Sequence, residues 1–275
     1  MGNYCFGSSG ADTKDGRMVD ASNYRADGVP IAKKIQLAPD LVQIEFATGL
    51  TYEGAVDDGG FRQGKGKQVW SDGATFEGEF QGDKANGKGT LIMGENQKFT
   101  GDFKDNKANG FGEYQTDQGK YVGEWKDDQP HGQGTETRPD KTTYVGNFVN
   151  GHKEGQGTMT FPNGAVYKGS FKSSKFDGQG TYTWPDNRAY VGTWKDNKMD
   201  GRGVMTWPDG MKYDGEYLND QKHGKGVLTW GGDKKYVGEW REGKQYGQGE
   251  LFTGDKIQKG EWKDGRFVIA ETKKN

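Results

Sequence analysis

The residues of this chain that could do chemistry recur rather than cluster. A Gly-x-Gly pair appears again and again, as in Gly132-Gln133-Gly134, Gly201-Arg202-Gly203 and Gly247-Gln248-Gly249. A phosphate-cradling loop would need one glycine-rich turn opening a helix, or a Gly-Lys-Ser/Thr ending, and neither is present. The glycines are expected instead to clear space where an aromatic side chain crosses the backbone. The three histidines are His131, His152 and His223. His131 and His223 fill the same slot several repeats apart and His152 is offset, so they cannot converge on one metal ion. Carboxylates recur throughout, and no general acid–base pair can be singled out. The sequence therefore assigns no catalytic residue, no metal site and no cofactor.

Two features point to binding instead. The aromatic residues Tyr121, Trp125, Tyr190, Trp194, Trp207, Tyr236 and Trp240 fall on one face of the expected strands. Mutual packing explains their presence, but a single-layer sheet has nothing obvious to cover that face, so they are candidates for a groove that accepts a protein partner. The N-terminus, Met1-Gly2-Asn3-Tyr4-Cys5, reads as an acylated start. Removal of Met1 would expose Gly2 for myristoylation, and Cys5 would take a palmitoyl chain; two chains give stable anchoring where one does not. Phe6 stands where Ser or Thr is usual in such a start. Lysine-rich loops such as Lys195-Asp196-Asn197-Lys198 could touch anionic lipid, although the interleaved aspartates weaken that case.

Composition narrows the elements that must position these residues. Only 30% of the 275 residues are hydrophobic, yet 13% are aromatic and glycine occurs 48 times. That balance suits thin, repetitive β structure and not a deep core. A net charge of -2, from 38 basic and 40 acidic residues, gives no field for nucleic acid. The single Cys5 excludes an intrachain disulfide and fits a reducing compartment. No apolar run approaches the roughly 18 residues of a membrane span, and the N-terminus lacks the apolar core of a secretory signal.

The organising signal is a period. Its first aromatic falls at Tyr52, Phe76, Phe99, Tyr121, Tyr144, Tyr167, Tyr190, Tyr213 and Tyr236, at steps of 22 to 24 residues. A degenerate copy follows near Lys259-Gly260-Glu261-Trp262. Such a period signals a repeat array with atypical ends. Parity gives the local structure. Tyr190, Gly192 and Trp194 share one strand face, and Val191 and Thr193 the other; Gly203, Met205 and Trp207 behave alike. The two runs are expected to be joined by a loop of about six residues, such as Lys104–Asn109 or Lys195–Asp200, as in a hairpin with a long connection. Turns such as Pro208-Asp209-Gly210 then lead to the next copy.

With Tyr121-Val122-Gly123-Glu124-Trp125 followed by Gly132-Gln133-Gly134, and Tyr236-Val237-Gly238-Glu239-Trp240 followed by Gly247-Gln248-Gly249, this pattern resembles the MORN (membrane occupation and recognition nexus) repeat. Val56 departs from it by replacing the second aromatic of the first copy. The resemblance implies a curved antiparallel sheet with an aromatic-lined groove. It also implies scaffolding between membrane and cytoskeleton, phosphoinositide contact or self-association.

The expected fold is all-β, an elongated single-layer antiparallel meander of nine to ten hairpin repeats of 23 residues with short atypical caps. Residues 1–40 are expected to be a flexible tail, 41–265 the array with its first strand at Leu41–Phe46, and 266–275 a C-terminal cap and tail. The expected function is a non-enzymatic scaffold linking partner proteins to a membrane or the cytoskeleton, cytoplasmic or peripheral at a membrane's inner face. The alternatives are an anionic-lipid-binding module and a regulatory subunit of an enzyme supplied in trans.

Overall fold

The computed structural model describes residues 31–268. The acylation candidates Gly2 and Cys5 lie outside the described residues. These contain 22 strands and no helix. The chain divides into two units, the first ending at His152 and the second starting at Lys153. In the first, strands run from Ile31–Ala38 to Thr143–Val149, and each pairs antiparallel with the next. In the second, they run from His152–Thr160 to Arg266–Phe267 with the same order of pairing. This is the all-β antiparallel meander expected from the period.

Two local expectations are corrected. The sheet begins at Ile31, ten residues before Leu41. Ile31–Ala38 pairs with Leu41–Phe46 through the Pro39-Asp40 turn. Seven of its eight residues are exposed. It is an edge strand held by the backbone ladder and not by a buried face, so it carries no apolar alternation to read. The second correction concerns the six-residue loops, which are two-residue turns. Ala189–Lys195 and Lys198–Thr206 are joined by Asp196-Asn197, with φ of 49° and 69°. Positive φ at both positions is the turn whose twist matches a hairpin. Of the residues expected as loop, Lys195, Lys198 and Met199 pair in the ladder and Asp200 enters a bulge: Trp194 pairs with Met199 but Gly192 pairs with Gly203, leaving extra residues on the second strand. Gly201, at φ 92°, takes the left-handed conformation inside it.

The turns also join one repeat to the next. Asn197 N–H donates to Phe176 O at 3.0 Å, and Phe176 N–H donates to Asn197 Oδ1 at 2.8 Å. Asp220 and Met199 repeat the exchange at 2.9 and 2.8 Å, as do Asn106 and Ala85 at 3.0 and 2.7 Å. The polar turn residues thus satisfy strand-end backbone groups that would otherwise lack partners.

Glycines form a lane across each unit. In the second, Gly180 pairs with Gly192, which pairs with Gly203, and Gly215 pairs with Gly203 and Gly226. The tyrosine of each copy lies along this lane. Tyr190 Oη donates to Thr193 O at 3.0 Å, Tyr213 Oη to Glu216 O at 3.0 Å and Tyr121 Oη to Glu124 O at 2.9 Å. A Cβ at Gly192 or Gly203 would lie within 2.5 Å of the Tyr190 side chain. The recurring Gly-x-Gly is therefore a structural device with two parts: a bulge glycine, then a glycine beneath a ring.

The rings interlock edge to face. In the second unit Tyr167–Trp194, Trp194–Tyr190, Tyr190–Tyr217, Tyr217–Tyr213, Tyr213–Trp240 and Trp240–Tyr236 meet with centroids 5.1–5.5 Å apart. The first unit has the same zigzag from Tyr52 through Phe80, Phe76, Phe103, Phe99 and Trp125 to Tyr121, at 4.9–5.3 Å. Such pairs add about 0.5–1.5 kcal/mol each beyond burial. At the first copy, where Val56 stands in place of the second aromatic, Arg62 covers the Tyr52 and Phe80 rings and pairs with Asp83 at 2.9 Å.

One member of the zigzag is imperfect. Tyr217 Oη is buried and unpartnered, at a position where other copies carry Trp194, Phe171 or Trp240. Tyr217→Phe is expected to stabilise the protein by about 1 kcal/mol, because it removes a desolvated hydroxyl without removing a ring. Urea denaturation checks this; a loss of 1 kcal/mol or more would mean that the hydroxyl is satisfied.

Candidate functional site

Parity and pairing decide which aromatics are available. Of the seven candidates for a partner groove, Tyr121, Trp125, Tyr190, Trp194, Tyr236 and Trp240 belong to the interlocked zigzag and are 0–5% exposed. Their indole N–H groups are also used: Trp125, Trp194 and Trp240 donate to Gly112, Gly180 and Gly226 carbonyls at 3.2–3.3 Å. These six rings offer no free face.

Burial shows in the phenols as well. Tyr52 and Tyr236 are pushed up to about 12, chiefly by desolvation, with Asp83 and Glu239 respectively adding to it. Desolvation also raises Tyr121, Tyr167, Tyr190 and Tyr213 well above the ordinary phenol value. A phenol whose folded pKa exceeds its unfolded value contributes stability that is complete below about pH 10 and lost as pH rises through the folded value. Stability is therefore expected to fall from about pH 10 towards 12, with phenolate absorbance of these tyrosines appearing together with unfolding. Full ionisation near pH 10 with the fold retained would contradict it.

Trp207 is different. It stands where the second strand of a copy enters its turn, with its N–H donating to Met211 O at 2.9 Å, and it is only half-buried. Three residues missed as candidates occupy the same position in neighbouring copies: Phe161, Trp184 and Trp230, all half-buried. The available signal was their 23-residue spacing with an aromatic immediately before each turn. Together the four form a half-open aromatic row, one ring per copy, within the second unit. The equivalent positions of the first unit are Phe46 and Trp70, which are buried, then Met93, Thr116 and Arg138. The row is thus confined to the second unit.

Cations accompany the row. Arg188 lies 5.3 Å over Trp184, Lys222 5.6 Å over Trp207 and Lys234 4.9 Å over Trp230. Lys222 also lies 5.2 Å over Tyr213 and 5.1 Å over Trp240, and burial lowers its pKa. Arg188 is paired with Asp186 at 2.7 Å. Neither Lys222 nor Lys234 meets a carboxylate among the described residues.

The lysines beside the hairpin turns are placed differently. Lys84 pairs with Asp105 at 3.0 Å, Lys107 with Asp127 at 3.6 Å and Lys175 with Asp196 at 2.7 Å, each on the next copy's turn. They form a ladder of exposed pairs and not a row of free charge. Among the described residues no group of three or more His, Cys, Asp or Glu could hold a metal ion. No helix of the described residues is long and apolar enough to cross a membrane.

The comparison with protein families agrees with the repeat geometry. The MORN repeat family model matches nine consecutive segments: 52–75, 76–94, 99–120, 121–143, 144–166, 167–187, 190–212, 213–232 and 236–255. No curated protein matches the chain. Among solved structures, the SAS-4 (dCPAP) TCP domain in complex with a proline-rich motif of Ana2 (dSTIL) of Drosophila melanogaster is 15% identical, covering 66% of this chain and 86% of that one, with a TM-score of 0.28. The CPAP G-box domain is 13% identical, covering 81% and 99%, with a TM-score of 0.32. A mutant TCP10 domain of Danio rerio CPAP is 13% identical, covering 75% and 87%, with a TM-score of 0.31. Likeness at these scores carries no argument about this chain.

Proposed function

This chain belongs to the MORN-repeat family, and from that premise we propose that it is a non-enzymatic scaffold whose second unit holds a protein partner on the row Phe161, Trp184, Trp207 and Trp230. One observation carries the reading. Most aromatics of the repeats are buried by mutual packing, whereas these four remain half-open at one ring per copy, even where Phe161 and Trp184 touch Tyr182 at 6.0 and 4.6 Å. Aromatic side chains left at a surface in a contiguous row mark interaction sites, because each offers a large contact area at little entropic cost. Attachment to a membrane or to cytoskeleton completes the proposal, with acyl chains on Gly2 and Cys5 as the membrane tether. The lipid-binding alternative is less favoured, since Lys84, Lys107 and Lys175 beside the turns are paired with aspartates and aspartates are interleaved with the remaining turn lysines.

Affinity capture from native lysate tests the scaffold, using the full chain and the double variant Trp184→Ala/Trp207→Ala. A partner is expected to be lost with the variant at a temperature where its thermal melt shows it still folded. Capture unchanged by the variant would remove the row from the proposal. Intact mass of protein made in a eukaryotic host tests the tether, and an unacylated N-terminus would end it.

A further inference from the structure

We propose that the occupant of this row is an extended proline-rich segment carrying acidic residues, bound as a polyproline II helix running across the strands. The inference rests on the scaffold reading above and adds the chemistry of the partner.

The first argument is pitch. Successive rings of the row sit on alternate strands, so they are two strand spacings apart, or about 9.6 Å. A polyproline II helix has three residues per turn and rises about 3.1 Å per residue, so it repeats every 9.3 Å or so. Every third residue of such a segment would meet one ring of the row. Other conformations lose register. An α-helix covers about 9.6 Å in roughly 6.4 residues, so its contact face turns away from one ring to the next. A β-strand covers the distance in about three residues, and an odd step reverses its face. Aromatic-lined surfaces suit polyproline II because the conformation is largely preformed and loses little entropy on docking.

The second argument is charge. Lys222 and Lys234 lie beside Trp207 and Trp230 with no carboxylate partner among the described residues. Two of the turn carboxylates along the row are engaged with their own backbone. Asp186 Oδ1 accepts from Arg188 N–H at 3.1 Å, and Asp209 Oδ1 from Met211 N–H at 3.0 Å. Carboxylates on the bound segment would complement the exposed Lys234 ammonium and the half-buried Lys222, which lies among the rings of Trp207, Tyr213 and Trp240. Prolines supply the stacking on the rings, and acidic residues between them supply the pairing.

Fluorescence anisotropy of labelled peptides titrated with the full chain tests this. The probes are four repeats of Pro-Pro-Glu, four repeats of Gly-Ser-Glu with the same charge, and four repeats of Pro-Pro-Lys. Saturable binding of the Pro-Pro-Glu peptide is expected, weakened about tenfold or more by Trp184→Ala/Trp207→Ala, a loss typical of removing interface hot spots. Lys234→Glu, at an exposed position, is expected to keep the fold and shift preference towards Pro-Pro-Lys. Equal binding of the Gly-Ser-Glu peptide would show charge without conformation and overturn the inference, as would no binding of Pro-Pro-Glu at all. If no proline-rich peptide binds but lysate capture still depends on Trp184 and Trp207, the inference fails and the scaffold reading stands. If capture is independent of them, both fail.

Discussion

Gly203→Ala is expected to destabilise the protein by about 3–5 kcal/mol, among the largest effects of any single methyl group that could be added to it. Gly203 does not have left-handed φ, so the effect is steric and owes nothing to backbone strain. A Cβ there would lie 2.3 Å from the Tyr190 ring and hydroxyl. The ring cannot give way. It is fully buried and wedged edge to face between Trp194 at 5.2 Å and Tyr217 at 5.1 Å. Its hydroxyl is tied to Thr193 O. Alanine must therefore expel the phenol, and the cost is that of removing a buried aromatic from a packed site. Gly94, with open space around its Cβ position and no positive φ, is the control, and Gly94→Ala is expected to stay within about 0.5 kcal/mol of wild type. A double-mutant cycle sharpens the test. With Tyr190→Ala already in place, Gly203→Ala should cost almost nothing, because the obstructed ring is gone. Additive losses in urea denaturation would show that the ring and the glycine lane are independent.

Trp194→Ala should cost a similar amount, about 3–5 kcal/mol. Trp207→Ala should cost only about 1–2 kcal/mol, since a half-buried ring removes less area from water. Both are tryptophans of the same copy, so residue type cannot explain the difference. Trp194 touches the rings of Tyr167, Phe176, Tyr182 and Tyr190 and donates its N–H to Gly180 O at 3.3 Å. Its partners lie on two successive copies. Stability of a repeat array is a sum of copy and neighbour terms, and losing this ring removes a neighbour term. The urea transition followed by tryptophan fluorescence should move to lower denaturant and broaden as the flanking copies uncouple. Equal losses for the two variants would contradict the division between an interlocked zigzag and an open row.

Much of the fold was legible because it follows from strict local rules. Pleating sends alternate residues to opposite faces, so Tyr190, Gly192 and Trp194 could be placed together before any coordinates. The 23-residue period identified the repeating hairpin, and the motif within it, as at Tyr121–Trp125 with Gly132-Gln133-Gly134, carried the resemblance to the family. The same rules failed at the bulge. Lys198, Met199 and Asp200 read as loop because they lie in a polar run that closes on Gly201, yet they belong to a strand whose ladder slips past its partner at residues 200–202. Ile31–Ala38 was missed for the opposite reason: an exposed edge strand is stabilised by backbone pairing, and side chains record none of it. The roles of Asn197 and Asp220 were also hidden, since their partners lie 21 residues away on the preceding copy.

The sequence by itself determined the period and the two-faced hairpin. It also excluded a site built from Gly-x-Gly or from the three histidines, because anything repeated in every copy must first serve the copy. Only the tertiary structure decided which aromatics are free. Trp194 and Trp207 have the same side chain and the same strand parity. Trp194 sits mid-sheet, where rings of its own and the preceding copy close over it, and Trp207 sits at the turn, where the strand ends and Lys222 of the next copy covers it only in part. Exposure is a property of what packs against a residue, and that depends on strands the local sequence does not contain.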